Sequence, residues 1–208
     1  LRRLNTDVID LYQSHTDDAT VPLEETLGAY DRLIRAGKLR YIGASNYSAA
    51  RLAEALAVSR REGLPEYASL QPLYNLYERE PFEKDLQALC QKEHLAVINF
   101  YALASGFLTG KYRSADDSGK SPRGQGIAKK YLNDRGMKIL AALDEVAAQT
   151  GARQGQVAIA WLLRQPGVTS PIASATSLTQ LDELVASARL VLSDAQVQRL
   201  NVASAWQA

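Results

Sequence analysis

A histidine that follows directly on a strand-like run is well placed to meet a substrate. His15 stands just past the run Asp7-Val8-Ile9-Asp10-Leu11-Tyr12-Gln13-Ser14. A neutral imidazole at that end of a parallel strand can donate a hydrogen bond to a carbonyl oxygen and polarise it. A purely structural histidine is the alternative. Asp17 and Asp18 lie close by, but their spacing from His15 matches no established metal-ligand set, and an exposed turn accounts for them. No metal ligands are assigned. Ser45 and Asn46 close a second strand-like run and offer a hydroxyl and an amide; a turn ahead of a helix capped by Ser48 explains them equally well. Gln71 interrupts an apolar run, and a buried amide there needs partners, which a ligand amide could supply. Tyr101 can present a flat face to an aromatic ring. The stretch Ala104-Ser105-Gly106-Phe107-Leu108-Thr109-Gly110-Lys111-Tyr112 groups two glycines, two hydroxyls and a lysine, which suits a phosphate, although it is neither GxGxxG nor a Walker sequence. Cys90 reads as a core residue and His94 as a helix end; neither is assigned a function.

These residues need a scaffold that brings strand ends together. Short β-rich runs at 8–12, 41–44, 69–73, 96–100 and 168–172 start 33, 28, 27 and 72 residues apart. The first three intervals match a βαβ unit of about 30 residues. Helical patterns fill the gaps at 23–36, 48–62, 81–93, 135–149 and 154–164. Two more begin where Ser177 with Gln180, and Ser193 with Gln196, have capping-box spacing. Residues 113–126 are rich in Ser, Gly, Asp and basic side chains and predict a mobile loop after a strand end. The expected class is α/β with a parallel sheet. Five strands fit either an open sheet or a (β/α)8 barrel short of three units.

Composition narrows the partners. The 208 residues carry 24 Lys and Arg against 23 Asp and Glu, a formal charge of +1, so there is no bulk attraction to nucleic acid or to an acidic membrane. Apolar residues at 46% and charged residues at 23% fit a folded domain. One cysteine excludes an intrachain disulfide and predicts a reducing, cytoplasmic setting. The best uncharged candidate for a span, 95–110, has 16 residues, short of the about 20 that a membrane span needs. No signal peptide is visible at the start.

The motifs taken in order resemble a known family. Leu4-xxx-Val8-Ile9-Asp10-Leu11-Tyr12-Gln13-x-His15, Gly37-Lys38-Leu39-Arg40-Tyr41-Ile42-Gly43-Ala44-Ser45-Asn46-Tyr47, Gln71 and Leu108-Thr109-Gly110-Lys111-Tyr112 are similar to the aldo-keto reductases. The likeness continues through Gln156-Val157-Ala158-Ile159-Ala160-Trp161-Leu162-Leu163 and Gln180-Leu181, and is closest to the bacterial members akin to potassium-channel β subunits. The resemblance implies a (β/α)8 barrel in one domain, present here from its fourth strand onward. It implies NADP(H) bound without a Rossmann domain, and hydride transfer to a small aldehyde or ketone. By position, His15 matches the catalytic histidine, Ser45, Asn46 and Gln71 the groups around the nicotinamide carboxamide, and Tyr101 the ring stacked on the nicotinamide. Leu103, Ser105, Gly106 and Lys111 match the pyrophosphate site, and Ser174, Thr176 and Gln180 the adenosine end.

The departures carry expectations of their own. The family's proton donor, a tyrosine assisted by a lysine and an aspartate, lies ahead of the histidine motif, so these 208 residues alone are expected to be inactive. Ser174 stands where glycine is usual, no arginine or lysine lies beside Thr176 and Ser177, and Leu184 replaces a frequent asparagine. NADP(H) rather than NAD(H) is therefore what the resemblance implies, and not what these residues establish. The alternatives are a nucleotide-binding regulatory module like a channel β subunit, and a structural remnant that covers its sheet edges by self-association.

Overall fold

Strand and helix signals alternate along the first hundred residues, and the backbone follows them. The computed structural model describes residues 1–206. Its elements run, in chain order, β1 (Ile9–Ser14), α1 (Leu23–Arg35), β2 (Leu39–Ser45), α2 (Ala49–Glu62), β3 (Tyr67–Gln71), α3 (Glu80–Glu83), α4 (Leu86–Lys92), β4 (Ala96–Val97), α5 (Gly124–Tyr131), α6 (Asp134–Thr150), α7 (Gln154–Leu163), α8 (Leu178–Ser187) and α9 (Asp194–Ala203). Short 3-10 turns lie at Arg2–Leu4, Ala104–Thr109 and Ala115–Lys120. No described helix is long and apolar enough to cross a membrane. The chain forms two compact units: Leu1–Pro72 with Lys84–Ile98, and Leu73–Glu83 with the chain from Asn99 onward.

The first unit is a four-stranded sheet in the order β1-β2-β3-β4, every pair parallel. A parallel sheet needs both faces covered, so the inner strand β2 is buried from Ile42 to Ser45. Helix α2 starts where Ser48 Oγ accepts the Arg51 N–H (3.2 Å), and it stops at Gly63 in the left-handed region (φ 64°). Leu27 of α1 and Leu52 and Ala55 of α2 are fully buried. Between β2 and β3 the register passes from Ile42↔Tyr67 to Gly43↔Ser69, so Ala68 is one residue too many for the ladder. This bulge turns Ser69 and Gln71 to the face shared by Gly43 and Ser45. Gly43 is required there, because a Cβ would stand 2.4 Å from Ser69 Oγ and 3.0 Å from Gln13 Cγ.

Three expected elements come out differently. The run 168–172 is not a strand: it holds a single bridge position at Val168, Pro171 has no N–H for a ladder, and Ile172 N–H donates to Asn99 O at 2.8 Å. Strand β3 ends at Gln71 because Pro72 follows it, leaving one bridge, Leu73↔Phe100, beyond. The helix expected at 81–93 is split into α3 and α4, with Asp85 at φ −149° breaking the turn. The second unit packs α6, α7 and α9 around fully buried Trp161, Phe107 and Leu143.

The stretch 113–126, read as a loop, holds the 3-10 turn Ala115–Lys120 and the first turn of α5. The order comes from Asp117, whose carboxylate accepts the N–H groups of Arg113 (2.6 Å) and Ser114 (3.0 Å) and pairs with Lys120 at 2.6 Å. The Lys120 bond, then the two backbone bonds, pull the Asp117 carboxyl down to about 2. Because the folded value lies below the ordinary 3.8, the order it confers is complete above that pH and is lost as pH falls through about 2. In an NMR titration the Arg113 and Ser114 amide protons should therefore shift with a midpoint near 2. A midpoint at the ordinary carboxylate value would show that Asp117 does not hold this turn.

Candidate active site

In the first unit the carboxyl ends of β1, β2 and β3 collect His15, Ser45, Asn46 and Gln71. Asn46 takes the left-handed conformation (φ 55°), which aims its amide back across the sheet. Its Nδ2 donates to His15 O at 2.7 Å and to Ser45 Oγ at 3.2 Å. Ser45 Oγ in turn donates to Gln71 O at 2.8 Å. Three strand ends are thus laced by two side chains, and the acceptors at both ends are backbone carbonyls. Ser45 is buried, while the His15 imidazole is exposed and makes no hydrogen bond among the described residues. Gln71 was expected to be a buried amide; it is half-buried at the end of its strand.

Asp17 and Asp18 are occupied with local structure. Asp17 receives Arg51 Nε on both oxygens (3.1 and 2.9 Å), and Arg51 also donates to Val21 O, which closes the loop after His15 onto α2. Asp18 accepts the Thr20 hydroxyl (2.6 Å) and N–H (3.0 Å), and these bonds hold its carboxyl below the usual range. No cluster of His, Cys, Asp or Glu able to hold a metal occurs among the described residues.

In the second unit Tyr101 stands at φ 55° with half of its surface exposed. Fully buried Asn75 fixes it: Asn75 Nδ2 donates to Tyr101 O at 2.9 Å, while Oδ1 accepts the N–H groups of Tyr77 and Glu78. The backbone stays left-handed at Ala104, Ser105 and Gly106, at φ 47°, 58° and 94°. Such a run costs energy in non-glycine residues and is held here by the surrounding fold. Lys111 reaches back over it, with Nζ 3.4 Å from the position a Gly106 Cβ would take. The Arg113 guanidinium grips both Asp144 oxygens at 2.7 Å and donates from Nε to Gly110 O at 2.7 Å, fixing the turn that carries Lys111.

A cleft of about 530 Å³ brings Tyr101 and Ser105 together with Arg123 and Lys130. Leu103, Gly106 and Lys111 do not line it. Lys130 is paired with Glu78, which raises its ammonium value, whereas Arg123 has no carboxylate partner among the described residues. At the remaining positions Thr176 donates through its N–H (2.8 Å) and hydroxyl (3.1 Å) to Gln180 Oε1, so these two meet. Ser174 is exposed and joins no hydrogen bond with them. Asn75 and Arg123 were missed in the sequence. An asparagine inside Leu73-Tyr74-Asn75-Leu76 was the available signal for the first, while the second lay in the supposed loop.

A family model for the aldo/keto reductase family matches residues 1–205. The chain is 34% identical over 190 residues to "L-glyceraldehyde 3-phosphate reductase" of Escherichia coli K12, covering 89% of this chain and 55% of that protein. It is 35% identical over 187 residues to a "probable voltage-gated potassium channel subunit beta" of Oryza sativa subsp. japonica, covering 88% and 57%. The crystal structure of a thermostable aldo-keto reductase with the inhibitor epalrestat superposes with a TM-score of 0.76 at 28% identity, over 97% of this chain and 62% of that one. The chain belongs to the aldo-keto reductase family. Its α/β class with an all-parallel sheet is the one expected of a (β/α)8 barrel, and it spans little more than half the length of the curated relatives it matches.

Proposed function

We propose that the full-length protein is an NADP(H)-dependent, cytoplasmic reductase of small aldehydes or ketones. The observation that carries this reading is the lacing of the β1, β2 and β3 ends, which gathers His15, Ser45, Asn46 and Gln71 at the end of a parallel sheet where such enzymes do chemistry. The other group, in the second unit, fits an anionic cofactor. Three consecutive left-handed residues, the last of them Gly106 with Lys111 above it, leave the backbone open to a phosphate group, and Arg123 adds, beside Ser105, a cation without a carboxylate partner among the described residues. NADPH, when bound, would supply the hydride.

The protein's own groups then have separate tasks. Ser45, Asn46 and Gln71 would hold the carboxamide, where Asn46 Oδ1 makes no bond among the described residues and can accept from an amide. Tyr101 would offer its exposed ring face to the nicotinamide. Leu103, Ser105, Gly106 and Lys111 would hold the pyrophosphate, and Ser174, Thr176 and Gln180 the adenosine end, with NAD(H) as the competing cofactor. His15 would donate from its imidazole to the carbonyl oxygen. A chain of these 208 residues alone, without the family's tyrosine, lysine and aspartate, would be inactive.

Carbonyl-dependent oxidation of NADPH by the full-length protein tests the reading, together with quenching of Trp fluorescence by NADP(H). Quenching without oxidation for any carbonyl would favour a regulatory nucleotide-binding module, a reading supported by the identity to the rice channel-subunit protein. Neither signal would reject both. Lys111→Ala should weaken NADP(H) binding, and more at low salt than at high, because a phosphate contact is screened by ions. An unchanged Kd at both salt concentrations would remove Lys111 from the site.

A further inference from the structure

Four hydroxyl groups stand in a row in the first unit. Tyr30, on α1, lies 2.7 Å from Ser14 Oγ; Ser14 Oγ lies 3.2 Å from the Tyr67 hydroxyl, which is 3.0 Å from that of Tyr47. Ser14, Tyr47 and Tyr67 are buried, and Tyr30 is half-buried. Two of the four are chain neighbours of candidate site residues: Ser14 precedes His15, and Tyr47 follows Asn46.

Either atom of each pair can donate, so the direction of the row follows from counting protons. Each hydroxyl has one proton to give. Three links use three protons, and the fourth must find an acceptor outside the row. Tyr47 has no further hydrogen-bond partner among the described residues, so a row donating towards it would strand a buried proton. A row donating the other way ends on half-exposed Tyr30, which gives its proton to water. Burial raises both Tyr30 and Tyr67 above the ordinary phenol value, so the row stays protonated at neutral pH.

We propose that these hydroxyls form one polarised relay, Tyr47 to Tyr67 to Ser14 to Tyr30, which sets the spacing of His15 and Asn46 and makes Tyr30 and Tyr67 positioning residues. The relay works on the opposite side of the strands from the Asn46-to-His15 bond. Removing the Tyr30 hydroxyl takes away the acceptor of Ser14, so either Ser14 keeps a buried proton unpaired beside His15 or the row reverses and leaves the Tyr47 proton unpaired beside Asn46. A change on α1 is thereby felt at the ends of β1 and β2. Only the consequence for cofactor binding rests on the function proposed above.

The test is Tyr30→Phe and Tyr67→Phe in the full-length protein, with Tyr12→Phe as control. The Tyr12 ring lies 5.8 Å from that of Tyr30, but its hydroxyl is outside the row. The readouts are the NMR signals of the His15 imidazole and the Asn46 side-chain amide, and the Kd for NADP(H). Both relay variants should shift these signals and weaken NADP(H) binding several-fold, while Tyr12→Phe moves neither. A lower Tm with His15 and Asn46 signals unmoved would overturn the relay and leave the row a stabilising contact only. Should Tyr67→Phe not fold, Tyr30→Phe decides, since its ring packing is retained at a half-exposed position. If the wild-type protein binds no NADP(H) but the signals still shift, the relay stands and the proposed function falls.

Discussion

His15→Ala should lower kcat of the full-length protein about 10²–10³-fold, the usual cost of removing one hydrogen-bond donor to charge that develops in a transition state. NADP(H) affinity should not change. The geometry separates the two effects: Asn46 Nδ2 is bound to the backbone carbonyl of His15, not to its ring, so alanine keeps the lacing of the strand ends intact. The imidazole is exposed and tied to nothing within the described residues, so its removal leaves no buried group without a partner. Steady-state kinetics with a small aldehyde, alongside a fluorescence Kd for NADPH, read both quantities. A lost Kd with kcat preserved would place His15 with the cofactor and reject its role at the carbonyl.

The largest effect on stability is expected at Glu83. Its carboxylate accepts the Tyr74 hydroxyl (2.7 Å), Arg79 Nε (2.7 Å) and Nη2 (3.0 Å), and Trp206 Nε1 (3.0 Å). Arg79 extends the network to Asn201 O and Ser204 Oγ, both at 2.9 Å, and lies over the Trp161 ring. The one carboxylate therefore ties α3 to the end of α9. Glu83→Ala would leave a mostly buried guanidinium without its counter-charge, on Asn201 O and Ser204 Oγ alone, and the fully buried Tyr74 hydroxyl without its acceptor. Breaking such a buried pair from one side costs about 3–5 kcal/mol. Urea unfolding should show a reduced midpoint, and Glu83→Gln, which keeps one acceptor oxygen, should recover part of it. A midpoint equal to wild type in the alanine variant would mean that the network adds nothing to folding.

Local chemistry made much of the scaffold legible in the sequence. Ser48, Ser177 and Ser193 each accept a backbone N–H at the start of a helix, as their spacing predicts, although only the Ser193 box closes completely, because the Gln180 side chain turns to Thr176 instead. Four strands appear where β-rich runs were found: β1 and β3 are shifted by one or two residues, β2 is longer and β4 shorter than expected. The failures have physical causes. Pro171, inside the run 168–172, was a visible reason to deny that run a ladder, whereas a run of polar residues does not show that Asp117 will gather two amides and a lysine into a turn. At the site, residue types at strand ends singled out His15, Ser45, Asn46 and Gln71. The left-handed backbone that lets Asn46 reach His15 depends on tertiary context and has no signature in the chain. The same holds for Asn75, which acts through the carbonyl of a residue 26 positions away.

The extra residue in β3 sits outside the pairing of this sheet, and this decides how the strand can change in length. Side chains along a strand take turns between two faces, so what β3 shows to the site is a matter of phase. Tyr67 and Ser69 already oppose consecutive residues of β2, Ile42 and Gly43. Ala68, between them, is exposed and small, and exchange for another residue leaves the count untouched. Its deletion would join two residues that already point to opposite faces, so Tyr67 would keep its place in the hydroxyl row, and Ser69 and Gln71 theirs beside Gly43 and Ser45. The strand can thus give up one residue here without a change of phase, whereas a second would exchange its faces, a slack carried by the backbone that no side chain at that position records.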